Sequence, residues 1–167
     1  MDIELRFAAK EDFKIIWDIL RRAKAIMDAA GIDQWDDEYP SAERLSEDIK
    51  CKELYILSIG SEIVSFVVIN NYQDPEYLDV EWKYTEGKVA TIHRLCVCPE
   101  RQGSGLGRKT MLLSEKEALR KGAEIIRLDT FFGNHSAIRL YEGLGYEKCG
   151  EVTFKKGKFF CYEKKLT

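Results

Sequence analysis

Arg101-Gln102-Gly103-Ser104-Gly105-Leu106-Gly107-Arg108-Lys109 lies between an apolar, β-branched stretch, Val89 to Val97, and a helix-patterned one, Leu106 to Lys121. A glycine-rich turn from strand to helix lets backbone N–H groups approach a phosphate closely, because glycine has no Cβ in the way. The helix that follows adds its unpaired N–H groups and the positive end of its dipole. The stretch therefore predicts a strand–turn–helix unit holding a phosphate-bearing ligand near the middle of the chain.

Three phosphate-loop patterns compete for this run. The pattern G-x-x-x-x-G-K-[ST] requires a second glycine at position 108, where the chain has Arg108, although Lys109 and Thr110 fit the remainder. The dinucleotide pattern G-x-G-x-x-G opens the first strand–helix unit of a domain. Here the glycines are Gly103, Gly105 and Gly107, well into the chain. A third pattern, [Arg/Gln]-x-x-Gly-x-[Gly/Ala], is met at every position by Gln102-Gly103-Ser104-Gly105-Leu106-Gly107.

A second block follows a strand-like segment, Glu124 to Thr130. It reads Asn134-His135-Ser136-Ala137-Ile138-Arg139-Leu140-Tyr141-Glu142-Gly143-Leu144-Gly145-Tyr146. Asn134 is a good helix N-cap. Ala137, Leu140, Tyr141 and Leu144 repeat at helical spacing, and Gly145 is placed for a left-handed C-cap before a strand beginning at Tyr146. With these two blocks in this order, the chain resembles the GNAT superfamily of N-acetyltransferases. The motifs lie between Ile92 and Tyr146, and the order of elements extends the resemblance to nearly the whole chain.

Around the motifs the pattern predicts a strand at Ile3 to Phe7 and a helix from Glu11 to about Ala30, with Phe13, Ile16, Trp17, Leu20 and Met27 as its apolar stripe. A second helix fits Ala42 to Lys50, capped by Ser41. Leu54 to Ile59 and Ile63 to Ile69 form a hairpin, Asn70 to Lys88 is a polar, aromatic connection, and Phe159 to Lys164 is a last strand. Antiparallel hairpins first and a strand–helix–strand unit later argue for an α/β fold, a mixed and mostly antiparallel sheet flanked by helices on both faces. The resemblance implies the same GNAT-like acyl-CoA N-acyltransferase fold.

The 167 residues suit a single domain, 1–167. The net charge of -3 argues against a general nucleic-acid binder. No run of about 18 apolar residues predicts a membrane span, and Met1-Asp2-Ile3-Glu4 does not read as a signal peptide. Five cysteines at scattered spacings (Cys51, Cys96, Cys98, Cys149 and Cys161), with no metal-binding Cys/His cluster, point to reduced thiols in a cytoplasmic protein.

Acetyl transfer from a thioester to an amine requires a polarised carbonyl, an amine that loses a proton, and a protonated leaving thiolate. The resemblance implies acetyl-CoA as co-substrate and no metal. Its phosphates would lie on Gln102, Gly103, Ser104, Gly105, Leu106, Gly107 and Arg108. Its pantetheine arm would pair with Leu95, Cys96 and Val97 like an added strand, and Asn134 would meet the arm from the second motif. Tyr141 is the candidate general acid, since a phenol of pKa about 10 is protonated at neutral pH; packing alone is the competing reading.

His93, on the central strand, is a candidate proton relay or a structural residue. Strict alternation places Thr91, His93 and Leu95 on one face and Ile92, Arg94 and Cys96 on the other. Asp79 and Glu81 are acidic alternatives, and Arg94 suits a salt bridge. Gly31 to Pro40 sets acidic residues beside Trp35 and Tyr39. This grouping fits a cationic amine, or an acidic surface loop with tucked-in aromatics.

Substrate contacts are assigned to Trp35 and Glu81. The acceptor is a small-molecule or peptide amine, and a homodimer is compatible with the family. The chemistry is direct transfer in a ternary complex. The alternatives are an acyl-cysteine step at Cys96 or Cys98, a non-catalytic CoA-binding module, and a phosphotransferase with a degenerate P-loop and Asp129 as magnesium ligand.

Overall fold

The computed structural model describes residues 2–166, and the strand–turn–helix unit around the glycine run sits at its centre. Seven strands form one sheet. They are β1 (Ile3–Phe7), β2 (Leu54–Ile59), β3 (Glu62–Asn70), β4 (Val89–Val97), β5 (Ile125–Phe131), β6 (Glu147–Phe154) and β7 (Gly157–Lys165), in the order β1-β2-β3-β4-β5-β7-β6. Every pair is antiparallel except β4 with β5. Four helices complete the fold: α1 (Phe13–Ala29), α2 (Ala42–Lys50), α3 (Leu106–Arg120) and α4 (His135–Gly143).

The helices form because their apolar residues recur on one face and their ends are capped. Ser41 Oγ accepts from the Arg44 N–H at 3.0 Å, a cap worth about 1 kcal/mol. Asn134 Oδ1 accepts from the Ala137 N–H at 3.2 Å, and Gly145 follows α4 with φ +92°. One face of the sheet buries Ile16, Leu20, Leu45, Ile56 and Phe66 with α1 and α2. The other buries Val67, Ile92, Met111, Ile126, Leu128 and Tyr141 with α3 and α4. Each such side chain contributes about 1.5–3 kcal/mol on leaving water.

Two features of β4 set up the site. First, its pairing with β5 stops after Val89–Ile125, Ala90–Ile126 and Thr91–Arg127. The rest of β4, His93 to Val97, stays on β3 and has no strand on the β5 side. Second, Phe66 faces Cys96 while Val68 faces His93, so three steps of β4 match two of β3. Arg94 and Leu95 together oppose Val67, and Arg94 takes φ +52°, a left-handed conformation strained for a residue with a Cβ.

This bulge corrects the alternation expected from the sequence. Leu95 joins Ile92 on the α3/α4 side, whereas Arg94 and Cys96 face α1 and α2. His93 and Leu95 therefore do not share a face.

Arg94 is held by a buried ion pair, as the sequence suggested. Its Nε and Nη2 donate to the two oxygens of Asp48 on α2 at 2.9 and 3.0 Å, and its Nη1 donates to the Tyr39 hydroxyl at 2.6 Å. The two charged side chains are 7% and 2% exposed. Burial pushes the Asp48 carboxyl up from the usual carboxylate range, against the pull of Arg94.

A second buried pair orders the polar connection between β3 and β4. Arg127 on β5 donates to Gln73 Oε1 and to the Tyr84 carbonyl, and Glu163 Oε1 on β7 accepts from the Lys83 and Tyr84 N–H groups. Backbone groups that a sheet would otherwise satisfy are thereby paired. The last two strands are a hairpin, and β7 begins at Gly157, two residues earlier than the sequence pattern indicates.

Breaking a bidentate buried pair leaves an uncompensated charge, which typically costs about 3–5 kcal/mol. Asp48→Ala is expected to lower the unfolding free energy by about that amount in urea denaturation. A loss below about 1 kcal/mol would mean that the pair does not anchor α2 to the bulge.

Candidate active site

The glycine run folds into the predicted cradle. Gly103 and Gly105 take φ +79° and +82°, and a Cβ on either would meet no atom within 4 Å, so this face of the turn is open. Helix α3 begins at Leu106, and its first internal bond is Lys109 N–H to the Gly105 carbonyl at 3.1 Å. The N–H groups of Leu106, Gly107 and Arg108 are therefore free at the positive end of a 15-residue helix. A Cβ at Gly107 would come 3.4 Å from Leu140 Cδ2 and 3.7 Å from Val97 Cγ2, so the helix start packs closely on both β4 and α4.

From this cradle a cavity of about 890 Å³ runs along the gap between β4 and β5 to the α1–α2 connection. Leu95, Cys96 and Val97 line it at the cradle end, with Arg101, Gln102 and Arg108. Asn134, Leu140 and Tyr141 line it from α4. The unpaired edge of β4, a free helix start and an elongated gap fit a ligand with a phosphate head and an extended, amide-bearing arm.

At the far end stand His93, Arg94, Asp129 and Thr130, with Trp35, Tyr39, Asp74, Phe154 and Phe159. Tyr141 is 7% exposed, and its pKa is pushed up by burial and then by the charge of Asp129, so the phenol stays protonated. Its ring also packs against Tyr146, with centroids 6.0 Å apart, so it serves the core and the cavity at once.

His93 Nε2 lies 3.0 Å from Asn70 Oδ1 and 3.2 Å from the Tyr72 carbonyl. The Asn70 amide orientation follows from its Nδ2 donating to Glu53 and its Oδ1 accepting the Tyr72 N–H. Both neighbours of Nε2 are acceptors, so Nε2 carries the proton and Nδ1 keeps the lone pair. Burial, with Arg94 beside it, lowers the His93 pKa to about 4, and the ring is uncharged at neutral pH.

Asp129, near the end of β5, is the carboxylate that the sequence pattern placed elsewhere, as a metal ligand of a degenerate P-loop. Here it faces the same cavity as His93 and Tyr141. Tyr77 donates to its Oδ2 at 2.6 Å, and burial raises its pKa to about 6. No local motif marks it. Only the pairing of β5 with β7 and the short helical turn at Pro75–Asp79 bring it into view.

Other predicted residues fall differently. Trp35 is both buried in the core and part of the cavity wall. Glu81 is exposed in the β3–β4 connection and does not line the cavity, and Asp79 is also exposed. The connection turns there to bury Tyr77 and Val80 instead. Ser104 turns its hydroxyl to the Arg101 carbonyl, and Leu106 packs into a core cluster with Leu57 and Val64. Their side chains thus serve the loop and the core, leaving only their backbones for a phosphate. The Asn134 amide donates to Gln34 Oε1 at 2.9 Å, a bridge from α4 to the α1–α2 connection.

The Cys96 thiol is buried among the α1/α2 core residues, which pushes its pKa far up. Cys98 donates to Glu100, and its pKa is also raised, chiefly by burial. Neither is set up as the thiolate an acyl-cysteine step needs.

Known proteins agree with this geometry. The model of the Acetyltransferase (GNAT) family matches residues 14–146. A mycothiol acetyltransferase of Kytococcus sedentarius is 30% identical over 83 residues, which cover 49% of this chain and 28% of that protein. The chain thus matches little more than a quarter of that relative's length. A GNAT-family acetyltransferase structure from Streptococcus agalactiae superposes with TM-score 0.88 at 22% identity, covering 99% of this chain and 96% of that one. The PaiA N-acetyltransferase of Thermoplasma acidophilum, solved in complex with coenzyme A, superposes with TM-score 0.75 at 21% identity, covering 99% and 100%. With the family model spanning most of its length, the chain belongs to the GNAT family of acetyltransferases.

Proposed function

We propose that this protein moves the acetyl group of acetyl-CoA to a primary amine by direct transfer, with both substrates bound together. The observation that carries this reading is the departure of β4 from β5 after three residue pairs, beside the free start of α3 and opening on one continuous cavity. When bound, acetyl-CoA supplies an activated acyl group on a thiol leaving group. In this reading the N–H groups around Gly103 to Arg108 hold its phosphates. The edge of Leu95 to Val97 pairs with its arm, and Asn134 meets the arm from α4.

Tyr141 is the proton donor to the leaving thiolate. His93, neutral and anchored through Nε2, presents Nδ1 to the acceptor as a hydrogen-bond acceptor, the relay position the sequence suggested. Trp35 and Tyr39 form the acceptor wall. The acceptor is a small-molecule or peptide amine. The mycothiol relative supports acetyl transfer by its name, and the PaiA relative supports transfer to nitrogen and a CoA ligand.

Calorimetric titration is expected to give micromolar binding of acetyl-CoA and none of ATP-magnesium; the reverse would restore a phosphotransferase reading. Gly105→Val places a β-branched residue at φ +82° in the cradle. It should abolish acetyl-CoA binding in a variant whose circular dichroism is unchanged, and normal affinity would remove the phosphate role of the loop. Tyr141→Phe is expected to lower turnover by about 10²-fold or more with acetyl-CoA affinity unchanged. Unaltered turnover would leave Tyr141 a packing residue only.

A further inference from the structure

The acceptor end of the cavity holds charge in an unbalanced way. Of its positive groups, Arg94 is neutralised by Asp48, Lys156 by Asp33 and Asp36, and Lys155 by Glu38. His93 is neutral at neutral pH. Neither Asp129 nor Asp74 has an ion-pair partner among the described residues, although the Arg94 charge acts on Asp74.

The oxygens of Asp129 are not equivalent. Tyr77 donates to Oδ2, and Tyr77 is itself fixed. It is 2% exposed, its carbonyl accepts from Trp82 Nε1 at 2.9 Å, and its ring lies 5.2 Å from that of Trp82. Oδ1 has no hydrogen-bond partner among the described residues.

One further group on the cavity wall lacks a partner. The Tyr141 hydroxyl makes no hydrogen bond among the described residues, and Tyr141 lines the cavity. Polar groups inside a protein are ordinarily satisfied by a neighbour or by what fills the space beside them, so Asp129 Oδ1 and the Tyr141 hydroxyl, both unpaired on the cavity wall, mark where a polar ligand belongs. Around them the wall is apolar and aromatic, from Trp35, Phe154 and Phe159.

We propose that Asp129, positioned by Tyr77, binds the ammonium group of the acceptor and takes its proton, and that the acceptor is a primary amine with a cationic head on an apolar or aromatic body. This rests on the acetyltransferase reading above and names the substrate class of that site. In the step, one N–H proton of the ammonium passes to Asp129 Oδ1, which leaves the nitrogen lone pair free. The lone pair forms the N–C bond to the acetyl carbonyl carbon, and the C–S bond breaks with its electron pair staying on sulfur. Tyr141 gives its proton to that sulfur and regains one from the newly acylated nitrogen. Asp129 returns its proton to water. The balance is one ammonium and one thioester giving one amide, one thiol and one proton.

Asp129 is ionised only above its pKa of about 6, a value raised chiefly by burial and, by smaller amounts, by Asp74 and Glu76, and lowered by the Tyr77 hydrogen bond. Tyr39 from the α1–α2 connection, Cys161 from β7 and Tyr141 from α4 also feel its charge, and His93 and Arg94 face the cavity from β4. The rate at low substrate should therefore rise with pH through about 6.

The test uses phenethylamine and leucinamide as acceptor probes. Their binding to the CoA-saturated protein is measured by calorimetry, and their acetylation by release of free thiol. The wild type should bind and acetylate at least one of them. Asp129→Asn should keep wild-type affinity for acetyl-CoA, lose at least 10-fold in amine affinity and about 10²-fold or more in kcat/KM, and lose the inflection near pH 6. His93→Gln should keep that inflection. Tyr77→Phe should move it to higher pH, which mere loss of packing would not do.

An Asp129→Asn protein with wild-type kcat/KM, or with the inflection intact, overturns the proposal. So does a wild type that binds acetyl-CoA but neither amine; the cofactor assignment survives in that case. A wild type that does not bind acetyl-CoA overturns the acetyltransferase reading itself.

Discussion

The parting of β4 from β5 is the constraint on which the rest of the molecule depends. A sheet that stayed paired would satisfy its own backbone and have no gap in its middle. Here three residue pairs hold the two strands together, and beyond Thr91 the ladder ends. The glycine turn and α3 follow directly from the freed end of β4, so the start of the helix comes to the mouth of the gap. Residues far apart in the chain, such as His93, Asp129 and Tyr141, meet because they border this one opening.

Holding a sheet open requires support from outside it. The Arg94–Asp48 pair ties the bulge on β4 to α2, and the Arg127–Glu163 pair ties the long connection to β5 and β7. Both are buried ion pairs, weak as sources of net stability but specific in geometry. Arg94 adopts a strained backbone conformation and spends that strain on reaching Asp48 and Tyr39 together. The apolar clusters on the two faces supply the stability, and the ion pairs choose which arrangement receives it.

The sequence carried most of the architecture. Helix α2, its Ser41 cap, the β2–β3 hairpin, the extent of β4 and the Asn134 cap were all readable, because each is set by neighbours within a few residues. The glycine cradle was readable for the same reason. The alternation along β4 was not, because a bulge depends on the partner strand and no residue type announced it at Arg94. Glu81, expected at the substrate, lies outside the cavity, and a polar connection gives no sign of which side chains turn inward. Tyr77 and Val80 turned in instead, drawing Asp129 into a buried hydrogen bond that only the three-dimensional arrangement reveals.

The bridge between Gln34 and Asn134 joins the two ends of the cavity. Asn134 spends its side-chain oxygen on capping α4 and its amide on the α1–α2 connection that walls the acceptor end. The amide carries two N–H donors, so in the proposed reading one holds Gln34 as a tether of the acceptor wall while the other is left for the pantetheine arm. The salt bridges from Lys155 and Lys156 to Glu38 and Asp33 remain as the other tethers. In that reading one amide group serves the donor's arm and the acceptor's wall at once, so the two ends of the cavity share a side chain.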